Sequence, residues 1–201
     1  LGYHLSYQLD SFVYYYGNNS SIYRGYCLFT EMEGGDSLKK VWTAARKYTY
    51  QGSKLQFMRS YYDSTVAEDG WIIDLLDEND NKKFNKVNNV YDTAYYNIVM
   101  NIADSLGADS VLYKVLAGPS GDVEIYYPGK ISITYTKKSP EKEYLRKMNL
   151  PKGVPYQISY VDMKEVIAIM ENGYYYDQKD WINQGYWSWK NIADQLPYDY
   201  S

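Results

Sequence analysis

Hydrophobic positions along this chain change period several times. From Leu1 to Tyr16 the period is two: Leu1, Tyr3, Leu5, Tyr7, Leu9, Val13 and Tyr15 share one parity, and His4, Ser6, Gln8 and Asp10 the other. This alternation predicts a strand with one wet face, broken near Ser11. Gly17-Asn18-Asn19-Ser20-Ser21 is a turn sequence, and Ile22 to Met32 reads as the returning strand of an antiparallel hairpin. After Gly34-Gly35, with Asp36 or Ser37 as a cap, Leu38, Val41, Trp42, Ala45 and Tyr48 take helical spacing and predict a helix over 37–50. Leu55–Tyr62 alternates again and reads as a strand, as do Trp71–Leu76 and Lys83–Val87.

The longest helical stripe is Tyr91, Ala94, Tyr95, Ile98, Val99, Ile102 and Leu106, which predicts a helix from Asn89 to Gly107 with a polar far side. Strands are expected at 110–116, 122–127 and 130–136, separated by Gly118-Pro119-Ser120-Gly121 and Pro128-Gly129. Ser139-Pro140 opens a short charged helix, and Tyr156–Tyr160 reads as one more strand. Asp162–Asn172 has helix marks at both ends: Asp162 and Glu165 at capping-box spacing, Val161 and Val166 placed as a staple, and Gly173 at the close. Its stripe is Met163, Val166, Ile167 and Met170. Ser188–Leu196 reads as a last short helix.

Together these elements predict an α+β fold. Antiparallel sheets would carry three or four helices, within a single domain spanning 1–201 or sub-units at 1–137 and 138–201. Helix 37–50 and helix 89–106 are each followed by three strands at an offset of about fifty residues, the layout of a loose duplication. A helix across an antiparallel hairpin resembles cystatin-like and PepSY-like units in arrangement, without a shared motif. That resemblance implies one role, inhibitor or regulator of an exported enzyme.

Composition changes the picture most through its rings. The 201 residues include 27 Tyr and 5 Trp but only 4 Phe. Tyr combines a wide apolar ring with a hydroxyl that needs a partner, so many of these rings are expected at half-exposed positions. The richest mixture of rings with amide and carboxylate groups is the tail, where Tyr174, Tyr175, Tyr176, Trp181, Tyr186, Trp187 and Trp189 form the candidate ligand-binding set. Such rings stack on sugars or meet a protein partner; plugging the core is the competing role.

Charge and rare residues exclude more than they assign. Net charge is −4, so no basic excess marks a nucleic-acid binder. No apolar run approaches the roughly 18–20 residues of a transmembrane segment. The chain opens on no secretory signal and begins at Leu1 rather than Met, which leaves export open; an exported or cell-surface setting is the expectation. Cys27 is the one cysteine and His4 the one histidine, which excludes an internal disulfide and a thiolate zinc cluster and leaves a histidine-dependent triad only His4.

Three patterns were weighed as chemistry. Asp77, Asn79 and Asn81 fit the start of a calcium loop, but Lys82 and Asn88 stand where Gly and Glu are required. Glu31 and Glu33, two apart on one predicted strand, would face the same way at a spacing of roughly 6–7 Å and suit a glycosidase-like, carboxylate-dependent hydrolase. Lys137, Lys138, Lys142, Arg146, Lys147 and Lys152 gather positive charge, best explained as a solvated face. No cofactor, metal or catalytic set is assigned. The reading is a non-enzymatic binding module that contacts carbohydrate or protein through Tyr and Trp, with the hydrolase and the enzyme regulator as alternatives.

Overall fold

A computed structural model describes residues 1–17, 20–78, 84–89, 122–127, 129–176 and 178–201. It is an α+β protein built on antiparallel sheets. Residues Leu1–Tyr50 with Ile192–Ser201 form one compact unit, and Gln51–Asn191 form another.

The first unit contains β1 (Tyr3–Tyr15), β2 (Ser20–Glu31) and α1 (Asp36–Tyr50). The expected hairpin and helix are both present. Among the described residues β1 and β2 pair only with each other, as a two-stranded antiparallel ribbon.

The second unit holds α2 (Lys54–Tyr62), β3 (Trp71–Glu78), β4 (Phe84–Asn89), β5 (Val123–Ile125), β6 (Lys130–Tyr135), α3 (Lys142–Lys147), β7 (Gln157–Met163), β8 (Ile167–Ile169), β9 (Trp181–Gly185) and the one-turn α4 (Tyr186–Trp189). Its main sheet has the order β4-β3-β6-β7-β9, and β5 pairs with β8. Cross-strand register puts Trp71 opposite Tyr135, Ile73 opposite Ile133, Ile131 opposite Val161 and Met163 opposite Trp181. Directly opposed residues share a face, so these side chains make one continuous apolar layer, and all of them are buried. Phe57 of α2 joins that layer. Its ring centroid lies 5.3 Å from Trp71, 5.5 Å from Trp187 and 6.2 Å from Trp181.

Two expected elements are different, for stated reasons. Residues 55–62 form a helix rather than a strand. The Ser53 hydroxyl accepts the Gln56 N–H at 3.1 Å, and the Gln56 carbonyl oxygen Oε1 accepts the Gly52 N–H at 2.8 Å, a variant of the capping box written Ser-x-x-Gln. This removes the first strand of the loose duplication. Residues 162–172 form the end of β7 and then β8, not a helix. Val161 and Met163, then Ile167 and Ile169, are buried in period two, while Val166 of the supposed stripe is 44% exposed. Pairing with β9 and β5 overrides the local helix marks. Gly173, at φ 82°, instead sits in the turn that returns the chain to Tyr175, which bridges back to Ile169.

The last expected helix is split into α4 and a 3-10 turn at Ile192–Asp194. Asn89, placed as the cap of the 89–107 helix, ends β4; the rest of that helix, the strand at 110–116, the turn at 79–83 and the sequons starting at Asn18 and Asn19 lie outside the described residues. Among the described residues no helix is long and apolar enough to cross a membrane.

Removing the Phe57 ring leaves a cavity among three indoles. Phe57→Ala is expected to lower unfolding free energy by about 3–5 kcal/mol, read by denaturant unfolding followed through Trp fluorescence; a loss below about 1 kcal/mol would place the centre of the core elsewhere.

Candidate functional site

The aromatic tail is mostly interior. Tyr175, Trp181, Tyr186 and Trp187 are buried at 2–7% exposure, and each polar atom has a partner. Trp187 Nε1 donates to the Gly52 carbonyl at 3.0 Å and Trp181 Nε1 to Asn183 Oδ1 at 2.8 Å. The Tyr175 hydroxyl accepts from Lys54 Nζ at 2.6 Å. Of the seven candidate rings, Tyr174, Tyr176 and Trp189 reach the surface. Tyr174 and Tyr176 meet edge to face at 5.5 Å, and Trp189 packs against Tyr144 at 5.5 Å. The sheet's need for large apolar groups draws the other four inward, so the tail is not an open seven-ring surface.

The carboxylate pair also comes apart. β2 stops at Glu31, so Glu33 lies beyond the strand and the two do not share a strand face. Glu31 is held by Arg46 Nη1 at 2.7 Å. Of the basic group, Lys137 and Lys138 donate to the carbonyls of Glu68 and Gln51. Among the described residues no group of three or more His, Cys, Asp or Glu is placed to hold a metal ion.

One polar cluster of the second unit was missed in the sequence. Glu141 Oε1 accepts from Lys190 Nζ at 2.7 Å, and Oε2 accepts from the Tyr186 hydroxyl at 2.5 Å. Gln157 Nε2 donates to that hydroxyl at 3.1 Å. Burial alone would raise the Glu141 carboxyl, but the bonds from Lys190 and Tyr186 outweigh it and hold it below its usual range. Lys138, beside this group, falls from 10.5 to about 8, chiefly through burial, with Lys190 adding and Glu141 opposing. The Glu141 carboxylate spends both oxygens on anchoring Tyr186 and Lys190, which is the work of a structural pin.

The open apolar surface is at the other end of the chain. Register shifts between Leu9 and Ser11, leaving Asp10 as an extra residue on β1. A bulge of this kind reverses parity beyond it. One face of the ribbon therefore carries Tyr3, Leu5, Tyr7 and Leu9, then Phe12 and Tyr14, opposite Phe29, Cys27, Gly25 and Tyr23. Val13 and Tyr15, expected with the first group, turn to the other face, where Arg24 clasps Asp10 through Nε at 2.8 Å and Nη2 at 2.6 Å. The single-parity reading is corrected by that one residue. Gly25 is required beside the bulge: a Cβ there would lie 2.2 Å from the Gln8 carbonyl oxygen.

Among the described residues the base of the apolar face is the part with a clear cover. The Arg46 guanidinium lies 3.9 Å from the Tyr3 ring centroid, and its Nε donates to the Leu1 carbonyl at 2.8 Å. Farther along, Leu9 is 55% and Phe12 58% exposed. No residue of β1 or α1 is buried, nor is any described side chain of β2. Leu38, Val41 and Tyr48 of the α1 stripe are all more than half exposed. Compared with family models, with curated proteins and with solved structures, the chain matches none.

The Lys138 shift has a signed consequence. Between about 8 and 10.5 the unfolded chain holds a proton that the folded one has released, so stability from this group rises with pH across that window. Below about pH 8 the cost of keeping the half-buried ammonium is present in full. The stability of wild type minus Lys138→Met is expected to grow by about 1 kcal/mol between pH 8 and 10.5, after allowance for solvent screening. Thermal or urea unfolding of both proteins checks it; a flat difference would refute the depressed amine.

Proposed function

We propose that this protein is a non-enzymatic contact module that binds a protein partner through the open apolar face of the β1–β2 ribbon. The carrying observation is that no described side chain of the ribbon or α1 is buried. A two-stranded ribbon is marginal by itself in water, and a unit of this size gains stability only by burying surface. From Leu5 to Tyr14 the face offers on the order of 500 Å² of apolar side chain, the size at which surface patches tend to be functional. A partner laid on it supplies the missing cover.

The composition of the face favours protein over carbohydrate. Sugar surfaces use flat rings beside hydrogen-bonding groups, whereas Leu5, Leu9, Phe12, Cys27 and Phe29 surround the tyrosines of this face with apolar groups. The tail's Trp181 and Trp187, the best sugar-stacking groups, lie in the core. Tyrosine and phenylalanine on a charge-poor face are what the buried centre of a protein interface contains.

The test places a photoreactive benzophenone residue at position 12, on the face, or at position 164, exposed in the other unit, and irradiates the source cells. A discrete adduct from position 12 that is absent from position 164, and lost with Leu9→Asp, is the expected result. Equal labelling from both positions, or none from position 12, would sink the reading. Phe12→Ser should also abolish the contact while changing the unfolding free energy of the isolated chain by less than about 0.5 kcal/mol, because its ring already faces water.

A further inference from the structure

We infer that the occupant of the ribbon face is a second copy of this chain, seated face to face about a two-fold axis. This rests on the contact-module reading and names its partner. A two-fold interface requires a patch that complements itself, and three observations meet that requirement.

The first is charge. The bulge sends Asp10 and Arg24 to the opposite face, where they neutralise each other. Glu31, at the base, is paired with Arg46. From Leu5 to Tyr14, and from Tyr23 to Phe29 across from them, the apolar face therefore carries no charged residue. A charged patch would repel its own copy; this one meets no like charge when doubled.

The second is area. Two such faces together remove on the order of 1,000 Å² of apolar surface from water, where specific interfaces begin, before polar rims are counted. The third is shape. A ribbon twelve to thirteen residues long per strand is long enough to serve as one layer of a sheet sandwich. An identical ribbon packed about 10 Å away completes that sandwich. The rings already lock together along the face, with Tyr3 edge to face on Phe29 at 5.8 Å and Tyr7 on Tyr23 at 6.4 Å. The surface is thus set before the copy arrives.

Cys27 provides an internal reporter. It is the only cysteine, sits on this face opposite Tyr7, and burial pushes its thiol up, so maleimide coupling is run at mildly alkaline pH. In a face-to-face pair the two Cys27 side chains come within reach of a bismaleimide with a spacer of about 10–15 Å, given the sheet separation of about 10 Å.

The experiment is sedimentation equilibrium of the purified full chain over a wide concentration range, with bismaleimide cross-linking in parallel. The expected result is a concentration-dependent dimer that cross-links at Cys27 and not in Cys27→Ser. Leu9→Asp should weaken it at least about 100-fold, as for the centre of an interface. Leu28→Asp, on the opposite face although more exposed at 66%, should leave it intact. Far-UV circular dichroism of both variants verifies the ribbon. A chain monomeric at every concentration overturns the inference, as does a dimer dissolved equally by Leu28→Asp or one that never links through Cys27. The photoadduct of the previous section separates the two claims. A position-12 adduct of twice the chain mass supports both, and one of another mass leaves the contact module standing and overturns the second copy. No adduct ends both.

Discussion

A phenol enters a protein interior at low cost only when its hydroxyl is met there. That constraint bears on the described tyrosines of a chain that has 27. In the second unit the partners exist. Glu141 and Gln157 meet Tyr186, and Lys54 meets Tyr175; the sheet closes over them with Phe57 at its centre. In the first unit the tyrosines of the ribbon are half-buried or exposed, and their rings form a boundary surface.

What that surface can do depends on Asp10. Without the extra residue, Val13 and Tyr15 would continue the Leu5–Leu9 side, and Phe12 and Tyr14 would face the other way. With it, charge is confined to one side: Asp10 and Arg24 are clasped there among Val13, Ile22, Tyr26 and Leu28, and an uncharged aromatic and aliphatic strip runs along the other. Gly25 is the complementary concession on β2, because a side chain there would strike the Gln8 carbonyl. A bulge that strengthens local twist and re-aims side chains is a common device near functional surfaces. By contrast, the carboxylates best placed for chemistry are engaged: Glu31 by Arg46, Glu141 by Lys190 and Tyr186.

The α+β class, the opening hairpin, α1 and the strands at 71–78, 84–89 and 130–135 were legible because period and turn residues agree there. Residues 55–62 misled because Leu55, Phe57 and Tyr61 keep the parity of a strand; the helical mark was Ser53 with Gln56 at capping-box spacing. Residues 162–172 misled in the opposite way. Their capping marks were real as letters, but Ile167 and Ile169 found β5, more than forty positions upstream, and no local pattern reports such a pairing. Of the candidate ring set, Tyr174, Tyr176 and Trp189 reach the surface and the other four are interior. A surplus of rings predicted a boundary surface, and the density of Trp drew attention to the tail, where burial claims the largest rings first. The break near Ser11 was legible, and the register shifts there; what parity did not report is that the extra residue carries Val13 and Tyr15 to the other face.

The two units differ in what holds them. The second has a closed aromatic core and the polar pin of Glu141, Tyr186 and Lys190. The first depends on edge contacts: Arg46 over Tyr3, the Arg46 bond to the Leu1 carbonyl, and strand pairing along the ribbon. Anything that binds the ordered ribbon and not the disordered one stabilises it by mass action. Covering the face therefore does double duty, since the free energy of contact is also free energy of ordering. Such an element responds steeply to the concentration of whatever covers it, because the strands and the interface are strengthened by the same event. A rigid, prefolded surface of equal area would bind more tightly but would lack that dependence. The sparse interior of the first unit fits the proposed contact: the apolar groups that would have made a private core are among those facing outward.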